Sequence, residues 1–497
     1  MIRWLTTVSP RPLALALAVL ASGCAVGPAY RPPTPPAGAV APLVSVNPAQ
    51  ESVAAPPDDW WRLYEDARLD GYLREAFTAN TDLKAAEANL SAARAVLEEA
   101  RAGTYPQTQV ETGATYGRDP ITDEILELNG AGPQTIWLFD DVLDVSYELD
   151  LFGRVRRSIE ASRADAQAAA AARDALRVTV AAETTRAYAE VCALGEQLAV
   201  ARRSLAVVSR EEQITTDRHE AGANSEFDLV RAQGLVAQVR SSIPPLEGQR
   251  RSALFELAEI LGRAPQHAPA EAQACVEPPR LKSLIPVGDG AALIQRRPDV
   301  RQADRRLAAA IARVGVATAD LYPRITLTGF YGGAADSTSG LVTEPGLAWG
   351  VGPKIAWAFP NQAAPRARVR QARAAAAASL ANFDSTVLQA LKETEKALAT
   401  YGSELDRRED VEQAQNRARR GFEIAEGQFR AGALPNLDLL TAEQTLIAAD
   451  AAVAASDSAL VEDQISLFKA LGGGWRTLPN GARPSTSSLQ PTGDGHE

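Results

Sequence analysis

Methionine and histidine are nearly absent from this chain, with one and three copies in 497 residues, and cysteine occurs three times. So few histidines leave little material for imidazole-based metal binding or acid–base chemistry. No cysteine spacing resembles a zinc site. A basic excess is also missing: the formal net charge is −11, which argues against nucleic acid as the main ligand, because phosphate binding needs a basic patch. Aromatic residues make up only 6%. From about Gly153 to Glu220 there is no proline and one internal glycine, Gly195, and Arg366 to Arg430 is nearly as long. What fills these stretches is alanine, in blocks such as Ala168–Ala172 and Ala374–Ala378, interspersed with Arg, Glu and Gln. Alanine gives up no side-chain entropy on entering a helix, so both segments are expected to be single long helices of about 100 Å each, at about 1.5 Å per residue.

The N-terminus carries Arg3 and Arg11 before an apolar core, Leu13–Leu20, of signal-peptide rather than membrane-spanning length. It ends in Ala21-Ser22-Gly23-Cys24, small residues before a cysteine, as at a lipoprotein processing site. Cys24 is then the expected mature N-terminus, carrying a covalent lipid (diacylglycerol and palmitoyl). Ala25 follows it, not the Asp that retains lipoproteins at the inner membrane in enteric-type bacteria. Cys192 and Cys275 could pair in an oxidising periplasm. One lies mid-helix and the other in a Pro-rich linker, which favours two unpaired, buried cysteines.

After Cys24 a Pro-rich leader, Val26–Pro57, has no periodicity and reads as an extended tether. Beyond Trp60-Trp61 the chain is duplicated. Thr81-Asp82-Leu83 to Tyr105-Pro106 matches Pro298-Asp299-Val300 to Tyr322-Pro323 at an offset of 217, with Ala86 on Ala303 and Leu90 on Leu307. A second register, offset 210, aligns Ala221-Gly222-Ala223 with Ala431-Gly432-Ala433, Asp228 with Asp438, Leu229 with Leu439, and Leu261-Gly262 with Leu471-Gly472. A repeat of that length is far too long for a solenoid unit and means two copies of one large half.

Each half reads helix, two strands, long helix, turn, long helix. In the first, Leu143, Val145, Tyr147, Leu149 and Leu151 alternate with Asp144, Ser146, Glu148 and Asp150. In the second, Leu347, Trp349, Val351, Pro353, Ile355, Trp357 and Phe359 alternate with small residues and Lys354. Their partner strands begin at the two Tyr-Pro pairs. Strands of about 10 residues, apolar on one side and polar on the other, suit a transmembrane β-barrel between lipid and water. Four strands cannot close around a water-filled lumen. Open edges are not tolerated in lipid, so the barrel must be shared between copies of the chain. Asp144, Glu148 and Asp150 are expected to line that lumen, a solvated wall and not a pair of catalytic carboxylates. Both long helices end at Ala-Gly-Ala, where Gly222 and Gly432 suit a left-handed C-terminus. Ser225 with Asp228 resembles a capping box, and Pro435 suits a first turn. His219 reads as an exposed polar residue beside the first turn.

These residues resemble the TolC-like outer-membrane factors, most closely the lipoprotein subset of resistance–nodulation–division (RND) efflux systems, the NodT-like outer membrane lipoproteins. The motifs are Gly23-Cys24-Ala25-Val26-Gly27-Pro28-Ala29-Tyr30, Arg296-Arg297-Pro298-Asp299-Val300 with Leu321-Tyr322-Pro323, and Leu471-Gly472-Gly473-Gly474-Trp475. The resemblance implies a mostly α fold with a transmembrane β-barrel portion. It implies a homotrimer whose twelve-stranded β-barrel continues into a periplasmic α-barrel. It implies no catalysis and no cofactor. The partners would be an inner-membrane RND-type pump and a periplasmic adaptor meeting the helical tips, around Gly222, Ala223, Arg430, Gly432 and Ala433. The tips would also close the channel: Leu437 falls on the family's pore-narrowing Leu, but Thr441 stands at its acidic position, leaving Asp438 as the nearest carboxylate. Export of small molecules through the outer membrane is the expected function. An exit duct for protein secretion and a structural envelope lipoprotein are the alternatives.

The expected boundaries are a signal peptide at 1–23, the lipidated leader at 24–61, a helical segment at 62–103 and the first β-hairpin at 104–152. The first helical hairpin follows at 153–262 with its tip near 221–225, then a Pro-rich linker at 263–288. The second half repeats this as 289–321, 322–359 and 360–471 with its tip near 431–436, before a tail at 472–497.

Overall fold

The computed structural model describes residues 25–475, except 49–50, 53, 119–122, 125–126, 129, 131, 133, 282–283 and 344–345. The expected signal peptide, Cys24 and nearly all of the expected tail lie outside the described residues.

In chain order the elements are β1 (Glu51–Ser52), α1 (Ala67–Ala79), α2 (Thr81–Ala102), β2 (Gln107–Gly117) and β3 (Ile136–Leu149). Next come α3 (Arg154–Glu220), α4 (Glu226–Ser241), α5 (Ile243–Ile260), β4 (Ile285–Pro286), α6 (Gly290–Arg296) and α7 (Pro298–Ala319). The chain then forms β5 (Arg324–Ala335), β6 (Leu347–Ala356), α8 (Ala363–Arg430) and α9 (Asn436–Ala470). The duplication is plain: α2 and α7 have 22 residues each and α3 and α8 have 67 and 68. The hairpin connection 118–135 is seven residues longer than its counterpart 336–346, which accounts for the change of repeat offset from 217 to 210.

The chain forms two compact units. Of the described residues, one comprises those of 25–34, 88–170 and 302–385. It holds a four-stranded antiparallel sheet in the order β2-β3-β5-β6. Pro353 lies in the outer strand β6, opposite Leu327; within sheets proline is confined largely to such edge strands. The helices beside the sheet pack through small residues: Ala164, Ala308 and Ala309 form a buried cluster against Tyr30, and Gly27 lies on Gly315 so closely that a Cβ would fall 2.7 Å from its Cα.

The other unit comprises the described residues of 35–87, 171–301 and 386–475. Its core centres on Trp60, fully buried and stacked on Phe468 at 4.7 Å, with Tyr72, Tyr188, Leu257, Leu261 and Leu467 around it. Asp66 caps α1 by accepting from the N–H groups of Arg68 and Leu69 at 2.8 and 3.3 Å.

Five sequence expectations need correction. The leader is not a free tether: Val26 N–H donates to the Phe152 carbonyl at 3.2 Å, Val44 and Ser45 donate to the Glu395 carboxylate, and β1 pairs in parallel with β4. Cys192 and Cys275 are not free but joined in a disulfide. Gly195, one turn on, makes room for the linker, because a Cβ there would collide with the Cys275 carbonyl. The returning helix of the first half is two helices, broken at Ser242 before Pro244-Pro245, whose rings cannot donate and crowd the preceding turn. Strand β6 ends at Ala356, short of Trp357 and Phe359, and Pro435 is the N-cap before α9, not a first-turn residue.

Candidate functional site

The strand register sorts the sheet into two faces. On one, rows of paired residues run Val110–Leu143–Tyr331–Trp349, Tyr147–Leu327–Pro353 and Leu149–Ile325–Ile355. Among the described residues most of these side chains are open: Trp349 is 73% and Val351 71% exposed, Val110, Tyr331 and Ile355 are exposed as well, and Tyr147 and Ile325 are half-buried. Aromatic rings gather at both ends of the band. Trp137 contacts Tyr116 at 5.1 Å and Phe139 at 5.9 Å, while Phe152 stacks on Tyr322 and Trp357 on Phe359, both at 4.6 Å. This face is largely apolar, interrupted by Asp141, which accepts from the Thr112 hydroxyl at 3.1 Å, and with an aromatic girdle at each end it suits hydrocarbon flanked by two interfaces. No helix among the described residues is long and apolar enough to cross a membrane.

The opposite face carries Gln109, Asp144, Ser146, Glu148, Thr326, Thr328 and Lys354 between small residues. Apolar residues occur on this face too: the register also places Leu138 and Val142 here, and the Phe330 ring lies over Gly350, where a Cβ would fall 2.6 Å from it. The three expected lumen carboxylates therefore part ways. Asp144 is exposed on the polar face, opposite Gln109. Glu148 is on that face but is held by Arg154, whose Nε donates to it at 2.7 Å, with Arg324 at 3.8 Å. Asp150 is not a strand residue at all: it accepts from the N–H groups of Val155 and Arg156 at 3.0 and 2.9 Å and so caps α3. A carboxylate satisfies the orphan donors and the positive end of the helix dipole there.

Both helical turns have one geometry. Gly222 and Gly432 have φ of 74° and 72°. Gly222 N–H donates to the His219 carbonyl and Ala223 N–H to that of Arg218, both at 2.8 Å. Gly432 and Ala433 repeat these bonds to Phe429 and Gln428 at 3.0 and 2.8 Å. This is the Schellman closure, in which a left-handed residue satisfies the last carbonyls. Nothing lies within 4 Å of a Cβ built on either glycine, so their surroundings are open and only the backbone demands glycine. The Ser225–Asp228 capping box is formed. His219 is half-buried and donates through Nδ1 to the Asn224 carbonyl at 3.0 Å, which ties it to the turn. Ala223, Ala433 and Arg430 are exposed, with Arg430 paired to Glu426.

Leu437 lies in the first turn of α9 and is 44% exposed, whereas Leu439 and Leu440 are buried. Asp438 is exposed beside it, and the Thr441 hydroxyl donates to the Leu437 carbonyl at 2.8 Å. Two residues escaped the sequence reading. Phe227, 67% exposed with Arg231 5.5 Å over its ring, is the counterpart of Leu437 at the same offset of 210 and was recoverable from the repeat. Glu443, 1% exposed, has no hydrogen-bond partner for either carboxylate oxygen among the described residues, and no periodic signal marks it.

The model of the family described as outer membrane efflux protein matches residues 72–263 and 291–473. The chain is 31% identical over 464 residues to the pyoverdine export outer membrane protein OpmQ of Pseudomonas putida, covering 89% of this chain and 94% of that one. It is 27% identical over 482 residues to the probable outer membrane lipoprotein SilC of Salmonella typhimurium, covering 93% and 98%. The solved structure of the outer-membrane channel OprN superimposes with a TM-score of 0.81 at 33% identity, covering 91% of this chain and 100% of that one.

Proposed function

This chain belongs to the outer membrane efflux protein family, and from that premise we propose that three copies close their sheets into one twelve-stranded channel whose helical tips receive cargo from a pump. It is an outer-membrane channel of the tripartite efflux type, with the TolC-like fold. The observation that carries the trimer is the sheet itself: its apolar face is exposed, and the outer edges of β2 and β6 are unpaired within the described chain. Unpaired N–H and C=O groups cost several kcal/mol each in hydrocarbon, on the order of the penalties for any unsatisfied buried amide, so the edges must meet.

In this reading the channel is a passive exit duct. Asp144 and Glu148 face water in the lumen, and Asp150 fixes the start of α3 beneath them. A periplasmic adaptor and an inner-membrane RND-type pump supply small molecules and the energy. The adaptor contacts the tips at Gly222, Ala223, Arg430, Gly432 and Ala433, whose small or projecting side chains leave the turns accessible. Cys24 carries the lipid that anchors the leader; acyl labelling is expected to vanish in Cys24→Ala while the trimer still inserts, and labelling of that variant would refute the anchor.

Leu437 narrows the pore at the tips, with Phe227 its counterpart on the other turn and Asp438 a carboxylate beside it. The test is single-channel conductance in planar bilayers. Leu437→Ala is expected to raise conductance several-fold and to admit large antibiotics, and Phe227→Ala to raise it less. Wild-type conductance in Leu437→Ala would place the constriction elsewhere.

A further inference from the structure

The buried carboxylates behind the tips are not needed for either turn. Glu443 follows Leu439 and Leu440 by one helical turn on the same face of α9. Leu439 packs on Ala425 and Phe429 of α8, and Leu440 on Val208 of α3 and Leu235, Val236 and Val239 of α4. Glu443 is thus enclosed at the meeting of four helices. The charged groups acting on it are Glu211 of α3, itself 7% exposed, and Glu426 of α8. The nearby cations are Arg210 and Arg218 on α3 and Arg430 on α8, and they act on Glu211. Arg218 is occupied over the Phe429 ring at 4.2 Å, and Arg430 is paired with Glu426. Among the described residues no cation compensates Glu443 itself.

We propose that Glu443 with Glu211 and Glu426 forms a proton-held latch: protonated, it lets α3, α4, α8 and α9 pack at the tips, and its ionisation loosens them. This rests on the reading of the tips as the closable end of the channel. A neutral carboxyl tolerates burial and can donate a hydrogen bond to a neighbouring carboxylate, whereas ionised carboxylates at one buried point repel. Burial first, then Glu211 and Glu426, push the Glu443 carboxyl up to about 7, while burial and Glu426 push Glu211 up as well. The proton belongs to the cluster and not to one residue. Because the packed state holds more protons than the loosened one, packing is favoured in acid and weakens as pH rises through about 7. Among the described residues no group of three or more His, Cys, Asp and Glu could hold a metal ion.

The experiment uses the full-length protein in bilayers from about pH 5.5 to 8.5, reading conductance together with the separation of distance labels at Ala223 and Ala433. In the wild type the labels are expected to move apart and open probability to rise several-fold with pH. Glu443→Gln, neutral at all pH, is expected to stay closed with a flat profile. Glu211→Gln is expected to shift the midpoint to lower pH, because one repelling neighbour is removed. Trimer yield checks folding of each variant. A wild-type pH profile in Glu443→Gln overturns the latch, as does loss of acid closure on adding EDTA. Label separation that follows pH without any conductance change supports the latch and removes the tips as the gate.

Discussion

Gly222 and Gly432, and again Gly262 and Gly472, hold the same left-handed turn at equivalent points of the two halves, with the same pair of carbonyl bonds behind each. Thr184 and Thr394, also 210 residues apart, are both fully buried and donate back to the carbonyls of Val180 and Ala390 at 2.7 and 3.0 Å. Between these fixed points the halves diverge. The first returns from its tip in two helices, α4 and α5, and is stapled to the linker by Cys192–Cys275. The second returns in one helix of 35 residues and has Gly402 where Cys192 stands in the first. It carries Leu437 and the buried Glu443 instead. Features dictated by backbone sterics have stayed alike in both copies, whereas side-chain packing has specialised: one half is braced, and the other holds the residues assigned to closure.

The bracing gives the largest expected difference. Replacing Cys192 and Cys275 together by Ala opens a loop with a sequence separation of 83, and loss of a native disulfide typically costs about 2–5 kcal/mol. Urea unfolding in detergent should show that loss, with the sheet intact by circular dichroism. An unchanged midpoint would mean the linker is held by its other contacts alone, such as Arg250, which donates to the carbonyls of Gln273 and Cys275 at 2.6 Å.

In the membrane, by contrast, the halves should be equivalent. Leu149 and Ile355 flank Ile325 in one row of the apolar face, one from each half. This row adjoins the Phe152–Tyr322 and Trp357–Phe359 girdle, so Arg at either position should cost less than the about 2–4 kcal/mol expected at the bilayer midplane, and equally in both halves. Asp144→Asn on the opposite face should leave folding intact and alter only ion selectivity. Equal damage from Asp144→Asn would contradict the assignment of faces.

Much of this was legible in the sequence because it rests on local rules. The repeat offsets, the strand alternation from Leu143 to Leu149, the glycines at the tips and the capping box at Ser225 each follow from backbone geometry or period. What stayed hidden depends on groups distant in sequence. Nothing local tells Cys192 that Cys275 lies beside it. Asp150 continues the acidic alternation of β3 by one position, so a helix cap and a lumen carboxylate read alike. The leader has no period, yet its backbone is held by Glu395 and by β4. Pro244-Pro245 mark the break after Ser242, a local signal that the expectation of one returning helix left unused. Glu443 sits among polar residues of α9, where a helix pattern cannot distinguish an exposed carboxylate from a buried one.

The central claim is that this sheet closes only with copies of itself, and its two free edges allow a direct test. Single cysteines placed in Thr112 of β2 and Val351 of β6 of one full-length chain should form intermolecular disulfides on mild oxidation of isolated outer membranes. Denaturing gels should then show dimers and trimers and no larger species, all collapsing to monomer on reduction. Persistent monomer after complete oxidation, in protein that is inserted and folded, would contradict a channel shared between chains.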